Sequence, residues 1–322
     1  MREIVVTKNN SNQRLDKFLM KYLNLAPKSF VYKMIRKKNI KLNDKKADGS
    51  EILNENDLIA LFLSEETILK FKEEIVVKKT EGSLDVVYED DNIIVAYKPN
   101  GVLTQPRNDT DDNTMVDRLL SYLSEKEDFS FDDEQGFKPS VCNRLDINTA
   151  GLILCGKNLR ATQRLNELIK LHKVDKYYVA ILKGIITENK IIKGYHYKDF
   201  KTNEATVSYR RRSGKDTPVE THILPIKNNG EYTLANIKLI TGKSHQIRAS
   251  LKLINSCIIG DRKYGDMDLN EQFKKDFGVF NQLLVANKLI LHDSDGLLSY
   301  LDGKEFECNL YKQFNRVSKN LF

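Results

Sequence analysis

The 322-residue sequence has no tryptophan, only six prolines and four cysteines, and no long apolar run. Cys142, Cys155, Cys257 and Cys308 lie far apart and form no CxxC pair, and the five histidines add no metal-ligand spacing. They read as small buried hydrophobes in a reducing compartment, so no metal, disulfide or redox cofactor is expected. No apolar stretch approaches the ~20 residues that span a bilayer. The opening MREIVVTKNNSNQRLDKF is broken by charge at once and lacks the core of a signal peptide, which points to the cytoplasm and away from membranes. Acids are scarce in residues 1–46, where 13 Lys and Arg face only Glu3, Asp16 and Asp44. This stretch carries +10 and the rest of the chain −3, for a net +7. A basic module on a nearly neutral body suits a polyanion partner. A Lys-rich solvated surface would give the same excess, and charge alone does not choose.

The length allows one large domain and a small one. Residues 13–23 place Leu15, Phe18, Leu19 and Tyr22 on one helical face, with Ser11 or Asn12 as cap. A second helix after Pro27 sets Phe30, Val31, Met34 and Ile35 against Lys28, Lys33, Arg36, Lys37 and Lys38. Strands at 40–42 and 58–62, joined through an Asn43-Asp44 turn, complete a unit over 1–64. Residues 65–82 mix charge with short apolar runs and are expected to be a linker. From 83 to 322 strands dominate (85–99, 151–156, 177–184, 233–241, 283–291), with helical periods at 115–123, 160–172 and 245–254. The fold class expected is α+β, with a mixed, largely antiparallel sheet. The acidic stretch 124–137 reads as a mobile loop.

Four motifs carry the chemistry. Asp90 to Gly101 is a buried strand ended by Lys98-Pro99-Asn100-Gly101, a turn by composition. Asn143-Arg144-Leu145-Asp146 runs through Thr149-Ala150-Gly151 into an apolar strand, where a loop can present an acid and a base over the sheet. Arg14-Leu15-Asp16 repeats that tripeptide in the first helix, and composition does not separate the two copies. Lys176-Tyr177-Tyr178 opens a strand whose alternation puts one tyrosine inside and one outside. Thr241-Gly242-Lys243-Ser244-His245-Gln246-Ile247-Arg248 precedes Gly260-Asp261-Arg262-Lys263-Tyr264-Gly265. Gly242-Lys243-Ser244 would need another glycine at 237 to be a nucleotide-triphosphate loop, and 237 is isoleucine.

In this order the motifs resemble the RluA family of ribosomal-RNA pseudouridine synthases, across residues 84 to about 295. The first unit resembles the small ribosomal-protein-type RNA-binding domain, on its RLDKFL opening and the basic helix leading into IKLND. The resemblance implies Asp146 as the catalytic aspartate, Arg144 as the arginine that opens the RNA, Tyr178 as the base-stacking tyrosine, and Arg248 as the aspartate's basic partner. Lys98, His245 and Gln246, with Lys28, Arg36, Lys37 and Lys38 of the first unit, are expected to meet structured RNA, ribosomal by analogy. A monomer is the default. The chain departs from the family at Asn143, Ile147, Ala150 and Gln105. These departures bear on the substrate site rather than on the activity, since the aspartate, tyrosine and arginine remain.

Pseudouridylation breaks the bond from ribose to a ring nitrogen of uracil, turns the base, and rejoins it through a ring carbon. It consumes no external group, so no cofactor is implied. Asp146 must be ionised, as nucleophile or as base; the sequence does not decide between them. The uridine must leave its stack, at a cost of a few kcal/mol, and an aromatic face worth ~1–3 kcal/mol offsets much of that. Two other readings stay open: a non-catalytic RNA-binding assembly protein, and an enzyme that hydrolyses the nucleoside bond and frees uracil.

Overall fold

The computed structural model describes residues 1–72, 77–78, 80–108, 110–126, 137–199 and 201–322. Most of the acidic stretch 124–137, namely 127–136, lies outside the described residues.

The first unit comprises β1 (Arg2–Val5), α1 (Leu15–Tyr22), α2 (Lys28–Arg36), β2 (Ile40–Leu42), β3 (Lys45–Lys46), β4 (Leu58–Leu61) and α3 (Glu65–Phe71). Apolar residues three and four apart bury Leu15, Phe18, Leu19 and Tyr22 of α1 against Val31, Met34 and Ile35 of α2. The strands lie in the order β1-β4-β2-β3. Asn43 and Asp44 both take positive φ, 50° and 60°, and close a tight hairpin from β2 to β3. That turn therefore leads to residues 45–46, and β4 pairs along the other edge of β2. The expected linker begins with a helix of this unit. Ser64 caps α3, Ile68 is fully buried in the same core, and the Phe71 ring lies 4.5 Å from that of Phe30. Its short apolar pattern hid it in the sequence.

The second unit contains β5 (Asp85–Glu89), β6 (Ile93–Lys98), α4 (Met115–Ser124), β7 (Ser140–Val141), β8 (Ala150–Gly156), α5 (Leu159–Lys170), β9 (Val174–Lys183), β10 (Lys190–Asp199) and β11 (Glu204–Ser208). It continues with β12 (Thr217–Asn228), β13 (Tyr232–Leu239), α6 (Gln246–Lys252), α7 (Met267–Phe277), β14 (Leu284–Leu291), β15 (Glu305–Glu307) and α8 (Lys312–Leu321). The strands form one sheet, β11-β10-β12-β13-β9-β14-β8-β6-β5, with β7 on β8 and β15 on β14. Among the described residues only the β14–β8 pairing is parallel, so the mixed, largely antiparallel α+β class holds.

Alternation along the strands divides two cores. Ile94, Ala96, Ile153, Tyr178, Ala180 and Ile237 face α4 and α6. Val95, Leu152 and Leu154 face Leu165 and Leu168 of α5, and Val179 and Ile181 face Phe273 of α7 and Phe314 of α8. Each such Val, Leu, Ile or Phe side chain contributes about 1.5–3 kcal/mol on burial, so the sheet is a firm floor for whatever its loops carry. At Gly151 (φ 125°) a Cβ would overlap the backbone of Ala286, so β8 can meet β14 there only without a side chain.

Candidate active site

The loop before β8 presents Asp146 into a cleft of about 740 Å³ above the centre of the sheet. Main-chain and buried side-chain bonds hold this loop. The carbonyl of Ile147 accepts from the Gly101 N–H at 2.9 Å and from Lys98 Nζ at 2.9 Å. Thr149 N–H donates to the Asp146 carbonyl at 2.9 Å, and the Thr104 hydroxyl donates to the Leu145 carbonyl at 2.9 Å. Asn143, where the resembled family often has histidine, accepts from Leu154 N–H at 2.7 Å and ties the loop to β8.

Arg248, on α6, donates through Nη1 to Asp146 Oδ2 at 2.8 Å. Its Nε and Nη2 donate to the two oxygens of Asp261 at 2.7 and 2.8 Å. Asp261 is fully buried and also accepts from the N–H groups of Lys263 and Tyr264. Arg248 is thus a fork held by one carboxylate and aimed at another. Burial lowers its pKa, but bonds to Asp261 and the charge of Asp146 outweigh this and raise it. Burial likewise raises the Asp261 pKa, and Arg248 brings it below the ordinary carboxylate value. The Arg248 guanidinium also lies 4.7 Å from the Tyr264 ring centroid.

His245 begins α6 with left-handed backbone, φ 55°. Its Nδ1 lies 2.9 Å from the Tyr264 hydroxyl, which accepts from Ala205 N–H at 2.7 Å. Its Nε2 lies 3.9 Å from Asp146 Oδ2. Burial lowers its pKa, with Asp146 pulling the other way. Tyr178 lines the same cleft from β9, opposite Ile237 of β13, while Tyr177 turns to the other face beneath Lys238. Burial chiefly, and then the Asp146 charge, raise the Tyr178 pKa, so its phenol stays protonated. Arg144 is exposed on the cleft wall. Among the described residues charge in the lining is one-sided: Arg107, Arg144, Lys176, Lys198, Lys243 and Arg248 surround one carboxylate, Asp146.

The two Arg-Leu-Asp copies now separate. Arg14 grips its own Asp16 at 3.1 and 2.9 Å, and Tyr32 donates to the same carboxylate at 2.8 Å, which pins α1 inside the first unit. Asp146 instead pairs with an arginine 102 positions away.

A sequence profile described as RNA pseudouridylate synthase matches residues 92–253, and an S4 domain profile matches residues 13–59. A Rickettsia bellii protein named ribosomal large subunit pseudouridine synthase C is 30% identical, over 98% of this chain and 100% of that one. The chain belongs to the RNA pseudouridylate synthase family. It is an RNA pseudouridine synthase of the RluA type, with an N-terminal S4 domain. Ribosomal large subunit pseudouridine synthase D of Borreliella burgdorferi is 31% identical, over 77% of this chain and 75% of that protein. The solved structure of human RNA pseudouridylate synthase domain containing 4 shares the fold, with a TM-score of 0.57 at 20% identity, covering 74% of this chain and 92% of that one.

Two residues expected to touch RNA are placed otherwise in this pseudouridine synthase. Lys98 has 0% exposure; its ammonium donates to the carbonyls of Pro99, Val102 and Ile147 at 2.9, 2.7 and 2.9 Å. It braces the Asp146 loop from below. Gln246 is buried, donating to Glu220 O and Thr221 Oγ1 and accepting from Thr241 Oγ1 and Lys243 N–H, so its amide fixes the turn before α6. Lys28, Arg36, Lys37 and Lys38 are exposed on and just after α2, and none lines the cleft. Asp261 and Tyr264 were visible as a motif, but only the fold gives them their partners. Among the described residues no cluster of three or more His, Cys, Asp and Glu gathers as metal ligands do.

Burial pushes the Lys98 pKa down to about 7, with Asp146 pulling it upward. The unfolded chain keeps that proton to about 10.5. Between those pH values the unfolded state binds the extra proton, so this group makes the fold more stable as pH rises. In thermal denaturation, wild type should gain on Lys98→Met as pH climbs from 7 toward 10.5. A difference that stays constant over this range would rule out a buried, titrating lysine.

Proposed function

We propose that Asp146 is the catalytic residue for isomerising a uridine of large-subunit ribosomal RNA, with Tyr178 as the stacking face and Arg248 as the group that aims the carboxylate. The observation that carries this is the bond from Arg248 to Asp146 Oδ2 inside a cleft shared with Tyr178. Among the described residues, Asp146 Oδ1 has no hydrogen-bond donor, and it is the oxygen left for the sugar or its proton. Arg144, exposed on the wall, is suited to fill the gap left by a flipped nucleotide or to hold its former partner. The basic face of α2 supplies salt-dependent affinity through phosphates rather than base identity. Ribosomal RNA as substrate rests on the names of the two relatives from Rickettsia bellii and Borreliella burgdorferi, and such a substrate supports a cytoplasmic location.

The test is to incubate the full chain with large-subunit ribosomal RNA transcripts, map pseudouridine chemically, and assay free uracil. Isomer at discrete uridines without free uracil is expected. Uracil release would make the enzyme a hydrolase, and neither product would make it a binding protein.

A further inference from the structure

Lys176 is a buried cation that the catalytic assignment leaves unused. It lies on β9 two residues before Tyr178, on the same face, and lines the cleft at 8% exposure. Among the described residues its ammonium has no hydrogen bond or ion pair. Its neighbour Asp175 alternates to the opposite face, where Lys238 at 2.9 Å and His292 at 3.4 Å engage it. Among the described residues the one carboxylate lining the cleft, Asp146, is taken by Arg248. A buried ammonium without a partner costs stability, and burial lowers its pKa. Above it stands the turn at Gly242, where an added Cβ would sit 3.6 Å from Lys176 Nζ. The turn carries no side chain at that position, which leaves the ammonium without a Cβ packed against it there.

We propose that Lys176, left open by Gly242, binds one backbone phosphate of the flipped nucleotide. This rests on reading the cleft as the uridine-isomerising site. Residues two apart on a strand are separated by ~7 Å. A base stacked on Tyr178 therefore brings its own phosphodiester, an anion of fixed spacing, to Lys176. The S4 domain would give general affinity for the RNA, whereas this contact would pull a single nucleotide into the cleft and hold it in register.

The test uses the full chain and a ribosomal RNA fragment that wild type modifies, with single neutral methylphosphonates at the phosphates flanking the target uridine. Lys176→Met should lower kcat/KM about tenfold or more, and Lys176→Arg should recover most of it. One methylphosphonate should lower wild type by a similar factor and have almost no further effect on Lys176→Met, because the two changes remove the same contact. Lys176→Met should also melt above wild type, since it removes an uncompensated charge. A lysine with a purely structural role would melt lower when replaced. Losses that simply multiply at both phosphates, beside normal wild-type turnover, would overturn the phosphate subsite alone and point to a contact with the base. Absence of pseudouridine with wild type would overturn the functional reading and this one together.

Discussion

Asp146→Asn is expected to lower single-turnover pseudouridine formation by at least about a thousandfold while RNA affinity stays within a few-fold of wild type. The magnitude follows from removing the group that attacks the sugar or takes its proton, a role worth ~10²–10⁴ as general base and more as nucleophile. The variant isolates charge from shape. An asparagine oxygen can still accept from Arg248 Nη1, and the loop is held by bonds of the Ile147 and Asp146 carbonyls that the change leaves alone. Asp146 is 26% exposed, and Arg248 keeps Asp261, so the melting temperature should hardly move. Turnover within tenfold of wild type would remove Asp146 from the mechanism.

Arg248→Leu should damage both fold and rate. It strands the fully buried Asp261 with only the N–H groups of Lys263 and Tyr264, and breaking a buried pair costs about 3–5 kcal/mol. In a domain of this size that lowers the melting temperature by roughly ten degrees. Asp146 loses its charged donor at the same time, and turnover of the folded fraction should fall about a hundredfold or more. The double variant Arg248→Leu with Asp261→Leu separates these effects. Replacing both members removes the stranded charge, so part of the stability should return, short of wild type by the N–H groups of Lys263 and Tyr264 left without Asp261. Turnover should not. If the double variant regained activity, Arg248 would be packing material and not the escort of the carboxylate. Lys at 248 should also fail, because a single ammonium cannot span Asp261 and Asp146 together.

Periodic apolar residues made α1, α2, α4 and α5 legible, because each presents a full stripe to a core. Short apolar runs did the same for β6, β8, β9, β13 and β14. It failed for α3, whose seven residues bury only Ile68, and for α8, which buries Phe314 and Val317 in a charged sequence. For α7 the signals were present and went unread: Asp266 caps its start and Gly278, at φ 65°, ends it. The trio of Asp146, Tyr178 and Arg248 was legible through family resemblance, since no local spacing reports a contact across 102 positions. Lys98 and Gln246 were misplaced because a polar residue in a turn is usually solvated. Only the folded chain brings three carbonyls onto one ammonium, or four partners onto one amide.

The way the Asp146 loop is tethered has an evolutionary side. At Ile147 the carbonyl carries two of the tethers, while the side chain, 38% exposed, is free to face whatever enters the cleft. Because any amino acid supplies that carbonyl, the residue beside the aspartate can drift without moving it. A substitution at position 147 would therefore change the surface beside the aspartate while leaving both tethers of the loop in place.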